Sequence, residues 1–216
     1  MDVLVDLDGT LLDPKPGILG SIQYALTRLG APVPPFDELT WVIGPPLRST
    51  FPRLLGSADM VEEAVALYRE NYVTGGAMYK ALVYAGIPQA LGALSAAGCR
   101  LILATAKPHV YARPILDRFD LSRHFAAVYG PELDGTNDSK ADLIACILRE
   151  QRVYPHKAVM VGDRNVDISA ARQNGIGGVG VTWGYGSISE LMTAGADALC
   201  SSPADLPHAA VQLLQA

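Results

Sequence analysis

Long apolar runs are missing from this 216-residue chain. Nothing in it approaches the roughly 18 consecutive apolar residues that a membrane-crossing helix needs. Charge is scarce, at 18% of residues, and is not basic; the formal net charge is −5. That balance excludes a protein that holds nucleic acid or an anionic membrane surface by bulk charge. Only three cysteines occur, Cys99, Cys146 and Cys200, far apart and in no C-x-x-C pair. They argue for reduced thiols, and against a disulfide frame or a thiolate zinc site. The four histidines show no H-E-x-x-H-like spacing, so histidine-based metal chemistry is not expected. The opening Met1-Asp2-Val3-Leu4-Val5-Asp6 has no basic stretch and reads as a strand, not as a signal peptide. The expectation is a soluble, cytoplasmic protein with no nucleic-acid or membrane partner. Half of the residues are hydrophobic, which at this length suffices to bury a core and rules out a disordered or fibrous chain.

The apolar pattern changes along the chain. Val3-Leu4-Val5 is a short continuous run, as in a strand buried on both faces, and it ends at Asp6-Leu7-Asp8-Gly9-Thr10. Ile18, Ile22, Ala25, Leu26 and Leu29 then recur with helical period before Gly30, and Val61, Ala64, Val65, Tyr68 and Tyr72 mark another amphipathic helix beyond two proline-rich loops. No strand pattern appears between Pro14 and about Tyr84, which predicts an all-helical insert over residues 14–84. From Gly86 onward short apolar runs alternate with helical segments: Leu101–Ala104, a weak run at Ala127–Tyr129, Ala158–Val161, a Gly/Val run to Val181, and Ala198-Leu199. Strands separated by single helices predict an α/β fold with a parallel sheet and helices on both faces, built from residues 1–13 and 85–216. Ligands of such sheets bind beyond the C-terminal ends of the strands.

Four features lie at those ends, and each has a plain structural reading beside a functional one. Asp6 and Asp8 suit a surface turn, yet Asp6 follows a run that should be buried, and two crowded carboxylates there cost free energy unless a cation or proton sits between them. Thr105, before Ala106-Lys107-Pro108, suits a helix N-cap; the same helix start is an anion site. Lys140 sits in the first turn of a helix opened by Asp138-Ser139, where the macrodipole disfavours a cation by about 0.3 kcal/mol or more. It is either a solvated surface lysine or the partner of an anion. Asp163 suits an N-cap and Asp167 a first-turn acid, while their spacing of four puts both carboxylates on one helical face. Three or four carboxylates gathered at one edge suit a hard divalent cation, most naturally Mg²⁺.

Taken in order, Asp6-x-Asp8-Gly9-Thr10, Thr105, Lys140 and Gly162-Asp163-x-x-x-Asp167 resemble the four motifs of the haloacid dehalogenase-like hydrolase superfamily. The resemblance spans the chain, and the helical insert resembles this family's C1-type cap on a Rossmann-like core. Gly44-Pro45-Pro46-Leu47 and Thr105-Ala106-Lys107-Pro108 are most similar to the phosphoglycolate phosphatase-like branch. The resemblance implies Asp6 as the nucleophile that forms an aspartyl-phosphate and Asp8 as the general acid and base. It implies Mg²⁺ held by Asp6, the backbone carbonyl of Asp8 and Asp163, with Asp167 supporting that shell. Asp8, Gly9, Thr105, Ala106 and Lys140 would hold the phosphoryl oxygens, Lys140 also offsetting the charge of Asp6. Asp8 disfavours the superfamily's dehalogenases and phosphonoacetaldehyde hydrolases, which lack a second aspartate there. The absence of histidine before His109 disfavours the phosphosugar mutases. The expected substrate is a small phosphorylated metabolite, phosphoglycolate-like or a nucleoside monophosphate. Arg48 and Lys107 are candidates to contact it; a solvated surface arginine is the other reading of Arg48. A non-catalytic binding protein on the same fold is the alternative from another class, and it leaves the joint presence of Asp6, Asp8, Thr105, Lys140 and Asp163 without a cause.

Overall fold

The computed structural model describes residues 1–134 and 136–215. Gly135 and Ala216, which fall inside the range expected for the core, lie outside the described residues. The chain starts in strand β1 (Asp2–Val5), whose Val3, Leu4 and Val5 are fully buried. It leaves through β2 (Leu12–Asp13), forms helices α1 (Lys15–Arg28), α2 (Leu47–Leu55) and α3 (Val61–Arg69), and returns through β3 (Leu82–Val83), which pairs with β2. Two compact units result, residues 13–82 and residues 1–12 with 83–216.

In the helical unit, α1 buries Ile18, Leu19, Ile22, Ala25 and Leu26, the stripe its periodicity predicted. It stops at Gly30, whose φ of +67° suits glycine. Helix α2 is hidden in the sequence because Pro52 lies inside it and prolines crowd its start. The expectation of an all-helical segment to Tyr84 needs one correction. Leu82–Val83 is extended, and two residues are too few for strand alternation to show.

The larger unit continues with α4 (Ile87–Ala96), β4 (Arg100–Ala104), α5 (His109–Arg118), β5 (Phe125–Tyr129), α6 (Lys140–Glu150), β6 (Ala158–Gly162), α7 (Asn165–Gln173), β7 (Gly177–Val181), α8 (Ile188–Ala194), β8 (Ala198–Cys200) and α9 (Leu206–Gln215). Six strands form one parallel sheet in the order β5-β4-β1-β6-β7-β8. Pleat alternation sorts the buried residues. Leu4, Ile102 and Met160 face one side, packed with Leu143, Ile144 and Ile147 of α6 and Ala170 and Ala171 of α7. Val3, Val5, Leu103 and Val161 are left for the other side, where α4 and α9 pack together against β4, β6 and β7.

Strand order reverses beside β1. The chain runs outward from β1 through β4 to β5, then crosses back to β6 on the other side of β1. Helical connections diverge at such a point and leave a crevice over the C-terminal strand ends. Val5 is in register with Leu103 on one side and Val161 on the other. The residues just past three adjacent strands therefore emerge side by side.

Candidate active site

Asp6, Thr105 and Asp163 are those residues. Asp6 extends β1 far enough for its N–H to donate to the Val161 carbonyl at 2.9 Å, and the N–H of Thr105 donates to Tyr129 at 3.1 Å. The surface-turn reading of Asp6 fails, since its side chain is almost wholly buried. A buried carboxylate needs a partner. Lys140 supplies it from the start of α6, with Nζ 2.7 Å from Asp6 Oδ1.

Lys140 is not the solvated lysine of the plain reading; it is 8% exposed. Its Nζ also donates to the Ala104 carbonyl at 2.9 Å and lies 2.8 Å from Asp167 Oδ1. The Asp167 contact is electrostatic, because Oδ1 takes no aligned hydrogen bond. Burial by itself would lower the pKa of this ammonium, but Asp167 and Asp6 together outweigh burial and raise it, so Lys140 stays charged. Its place in the first turn of α6 is thereby explained. Two carboxylates at contact distance outweigh a macrodipole penalty of about 0.3–1 kcal/mol. The helix is opened by Ser139, which accepts the Asp142 N–H.

Asp163 departs from its expected placement as an N-cap sharing a helical face with Asp167. It lies in the bend just past β6, before the helix begins; α7 is entered through Arg164, whose N–H donates to Asp167 Oδ2 at 3.1 Å. Asp167 thus approaches from the first turn of α7, and Asp163 from the strand end. Asp163 is fully buried. It accepts hydrogen bonds from the Thr10 hydroxyl at 3.2 Å and the Tyr185 N–H at 2.8 Å. Burial, with Asp167 and Asp6 nearby, pushes its carboxyl up to about 7. Asp167 is raised as well, by burial against the pull of Lys140.

Asp6, Asp163 and Asp167 each bring a ligand atom within 4.8 Å of the others. These residues fit a hard divalent cation. The donors are all carboxylate oxygens. Among the described residues no cation pairs with buried Asp163, and its neutral donors leave a charge that burial disfavours. Asp167, already drawn to Lys140 and the Arg164 N–H, is the member best placed to support the other two.

Asp8 lies beyond the bend after Asp6 and has its own cation, Lys107, with Nζ 2.7 Å from Asp8 Oδ2. Burial raises Asp8, and Lys107 pulls it back. Thr105 is not an N-cap. Helix α5 begins at His109, preceded by Pro108, and Thr105 Oγ1 instead accepts the Lys107 N–H at 3.2 Å. That bond closes a tight turn over Thr105-Ala106-Lys107 and carries the Lys107 backbone to the site. Ala106 is exposed there, and Gly9 takes a φ of +85°. Asp6, Asp8, Thr105, Lys107, Lys140, Asp163 and Asp167 therefore all lie in the larger unit at one sheet edge. Arg48 belongs to the helical unit, on its exposed surface, where Nε lies 2.7 Å from Glu62 Oε1.

Sequence reasoning placed Thr10 in the first motif without a role and passed over the loop after β7, Trp183-Gly184-Tyr185-Gly186. The Trp183 indole N–H donates to the Thr10 carbonyl at 3.0 Å, and Tyr185 is the backbone donor to Asp163. A Gly-Tyr-Gly stretch just past a strand was the available signal, under the same rule that picked out the other strand ends.

The chain has clear relatives. The haloacid dehalogenase-like hydrolase family model matches residues 3–181. A 5'-nucleotidase of Pseudomonas aeruginosa is 44% identical over 192 residues, covering 88% of this chain and 86% of that protein. The tyrosine-protein kinase PtkA of Mycobacterium tuberculosis is 42% identical over 184 residues, which are 85% of this chain but 62% of the kinase. A phosphoglycolate phosphatase of Cupriavidus necator is 34% identical over 213 residues, 95% of this chain and 90% of that enzyme. Among solved structures, a predicted phosphatase from Clostridium acetobutylicum matches with a TM-score of 0.92 at 34% identity, covering 98% of each chain.

Proposed function

This chain belongs to the haloacid dehalogenase-like hydrolase family and is a phosphoric monoester hydrolase of its phosphoglycolate phosphatase-like branch, and from that premise we propose that it hydrolyses a small phosphomonoester, with Mg²⁺, through an aspartyl-phosphate on Asp6. One observation carries the reading: Asp6 is buried at the end of β1 and paired to Lys140 at 2.7 Å, with Asp8 two residues on and paired to Lys107. An ion pair kept only for stability has no need of a second carboxylate crowded beside it.

Asp6 attacks phosphorus as the ester P–O bond breaks, and the phosphoryl group passes to its carboxylate. Asp8 gives its proton to the departing alkoxide. As a carboxylate it then takes a proton from the water that attacks the same phosphorus. The bond to Asp6 breaks, releasing inorganic phosphate and restoring the nucleophile. Thr105, Lys140 and the backbone N–H group of Ala106 hold the phosphoryl oxygens, where preorganised donors matter most, whereas the Gly9 N–H is already given to the Leu12 carbonyl at 2.7 Å. Mg²⁺, held by Asp6, Asp163 and the Asp8 carbonyl with Asp167 in support, would supply further positive charge to those oxygens.

The helical unit, residues 13–82, is proposed to serve as the cap that reads the leaving group. Its Arg48 would exchange Glu62 for an anionic group of the substrate, which is cheap because exposed ion pairs in water are weak. A phosphoglycolate-like substrate is the first reading. A nucleoside 5'-monophosphate is the second, favoured by the 44% identical 5'-nucleotidase.

The test is phosphate release from a panel of phosphorylated metabolites, with Mg²⁺ and with EDTA. Preferred turnover of phosphoglycolate supports the first substrate and preferred turnover of nucleoside 5'-monophosphates the second, in either case only with Mg²⁺. Full turnover in chelated buffer overturns the metal, and turnover of neither class overturns both substrate readings.

A further inference from the structure

The loop after β7 makes contacts that the catalytic scheme above does not use. Trp183 donates its indole N–H to the carbonyl of Thr10, and the hydroxyl of Thr10 donates to Asp163 Oδ1. Two residues on, the Tyr185 N–H donates to the other carboxylate oxygen of Asp163, Oδ2. Each oxygen of one buried carboxylate thus has its own donor, and both donors trace back to four consecutive residues.

Steric observations point the same way. A Cβ at Gly184 would overlap both the Asp163 side chain and the Gly9 carbonyl oxygen. A Cβ at Gly186 would overlap the Asp163 carbonyl, and one at Gly9 would overlap the Asp163 carboxylate. The glycines let backbone close on Asp163 from two sides, as glycine does where chain must approach chain. A carboxylate gripped so closely cannot change rotamer freely.

We infer that Trp183-Gly184-Tyr185-Gly186, with Thr10, forms a clamp that presets the Asp163 carboxylate for the divalent cation, making Thr10 and Trp183 positioning residues for metal binding. The inference rests on the proposed Mg²⁺ site. Its physical basis is that a ligand fixed by outer hydrogen bonds loses little freedom when the ion arrives, and loss of such partners typically costs about 10- to 100-fold in metal affinity. Three chain segments must meet for this: the bend after β1, the end of β6 and the loop after β7.

The experiment is calorimetric titration of the metal-free protein with Mg²⁺, without substrate. Thr10→Val removes the donor and keeps the shape, Thr10→Ser restores it, Trp183→Phe removes the indole N–H and keeps a smaller aromatic ring, and Asp163→Asn removes the charge. Thr10→Val should weaken Mg²⁺ binding about 10-fold. Thr10→Ser should stay close to wild type, and Trp183→Phe should lie between. Because the clamp acts on the ion, the Mg²⁺ concentration for half-maximal phosphatase activity should rise in the same order, with kcat regained at saturating Mg²⁺. Circular dichroism and melting temperature identify any variant that fails to fold, and Trp183→Phe carries the test if Thr10→Val does. Wild-type affinity in folded Thr10→Val and Trp183→Phe overturns the clamp and leaves the metal site standing. If wild type and Asp163→Asn bind Mg²⁺ equally poorly, the metal reading fails and the clamp with it.

Discussion

Lys107 Nζ lies 2.7 Å from Asp8 Oδ2, and both side chains are largely shielded from water. This pair is separate from the Lys140–Asp6 pair, so the two carboxylates of the Asp6-x-Asp8 motif have a cation each. The division suits their different tasks. One must stay a bare nucleophile, while the other must give a proton and take one back.

Removing Lys107 should therefore slow the half-reaction that needs Asp8 as a base. Without the ammonium, burial acts on Asp8 unopposed by its nearest cation, its pKa rises further, and less carboxylate is present at neutral pH. General acid–base catalysis contributes about 10²- to 10⁴-fold, so Lys107→Met should lose about 10-fold or more in kcat. Phosphoenzyme should accumulate, and the rate should recover as pH rises. Rapid-quench measurement of labelled phosphoenzyme tests this. Loss of KM alone, with no accumulation, would return Lys107 to the substrate-contact role.

Asp6→Asn should abolish turnover and labelled phosphoenzyme together. The fold should survive, because Lys140 keeps Asp167 and the Ala104 carbonyl as partners. Recovery of label on any other residue overturns Asp6 as nucleophile.

Lys140→Met leaves Asp6 and Asp167 buried without their shared cation. Stripping one partner from a buried pair costs about 3–5 kcal/mol, to be read from denaturant unfolding in EDTA. The double variant Lys140→Met, Asp167→Asn should be less destabilised than Lys140→Met alone. Strict additivity of the single effects would argue against the coupling.

In EDTA the protein should grow more stable as pH falls from 8 to 5. Asp8, Asp163 and Asp167 all have folded pKa values raised above the ordinary carboxylate range, Asp163 to about 7. A raised folded pKa means that the native state binds more protons, so its stabilising effect is present at low pH and is lost as pH rises through the folded value. Carboxylates with lowered values, such as Glu190, act in the opposite sense below the window, and His124, lowered by burial, opposes the three raised carboxyls within it as a single group. Saturating Mg²⁺ should flatten or invert the trend by replacing the protons. Melting temperatures across pH 5–8, with and without Mg²⁺, test it, and identical slopes in both series would overturn it.

By itself the sequence determined the strand ends that carry chemistry. Val3-Leu4-Val5 had to be buried, so Asp6 had to emerge at a strand end, and Lys140 stood out because a cation is locally unfavourable in a first helical turn. Alternation of strands and helices was enough for the parallel sheet, since it depends on local periodicity. Partnerships belonged to the tertiary structure. Asp6, Thr105 and Asp163 meet only because β4 and β6 flank β1, an adjacency set by crossover packing and invisible to any local window. The pairing of Lys107 with Asp8 in place of substrate, the start of α5 at His109 in place of the residue after Thr105, and the position of Asp163 in the bend between β6 and α7 in place of the helix were decided there too. So was the grip of Trp183-Gly184-Tyr185-Gly186 and Thr10 on Asp163. Hydrogen bonds between residues 153 or 173 positions apart have no sequence signature, because a donor's partner is fixed by which backbones the core brings within about 3 Å.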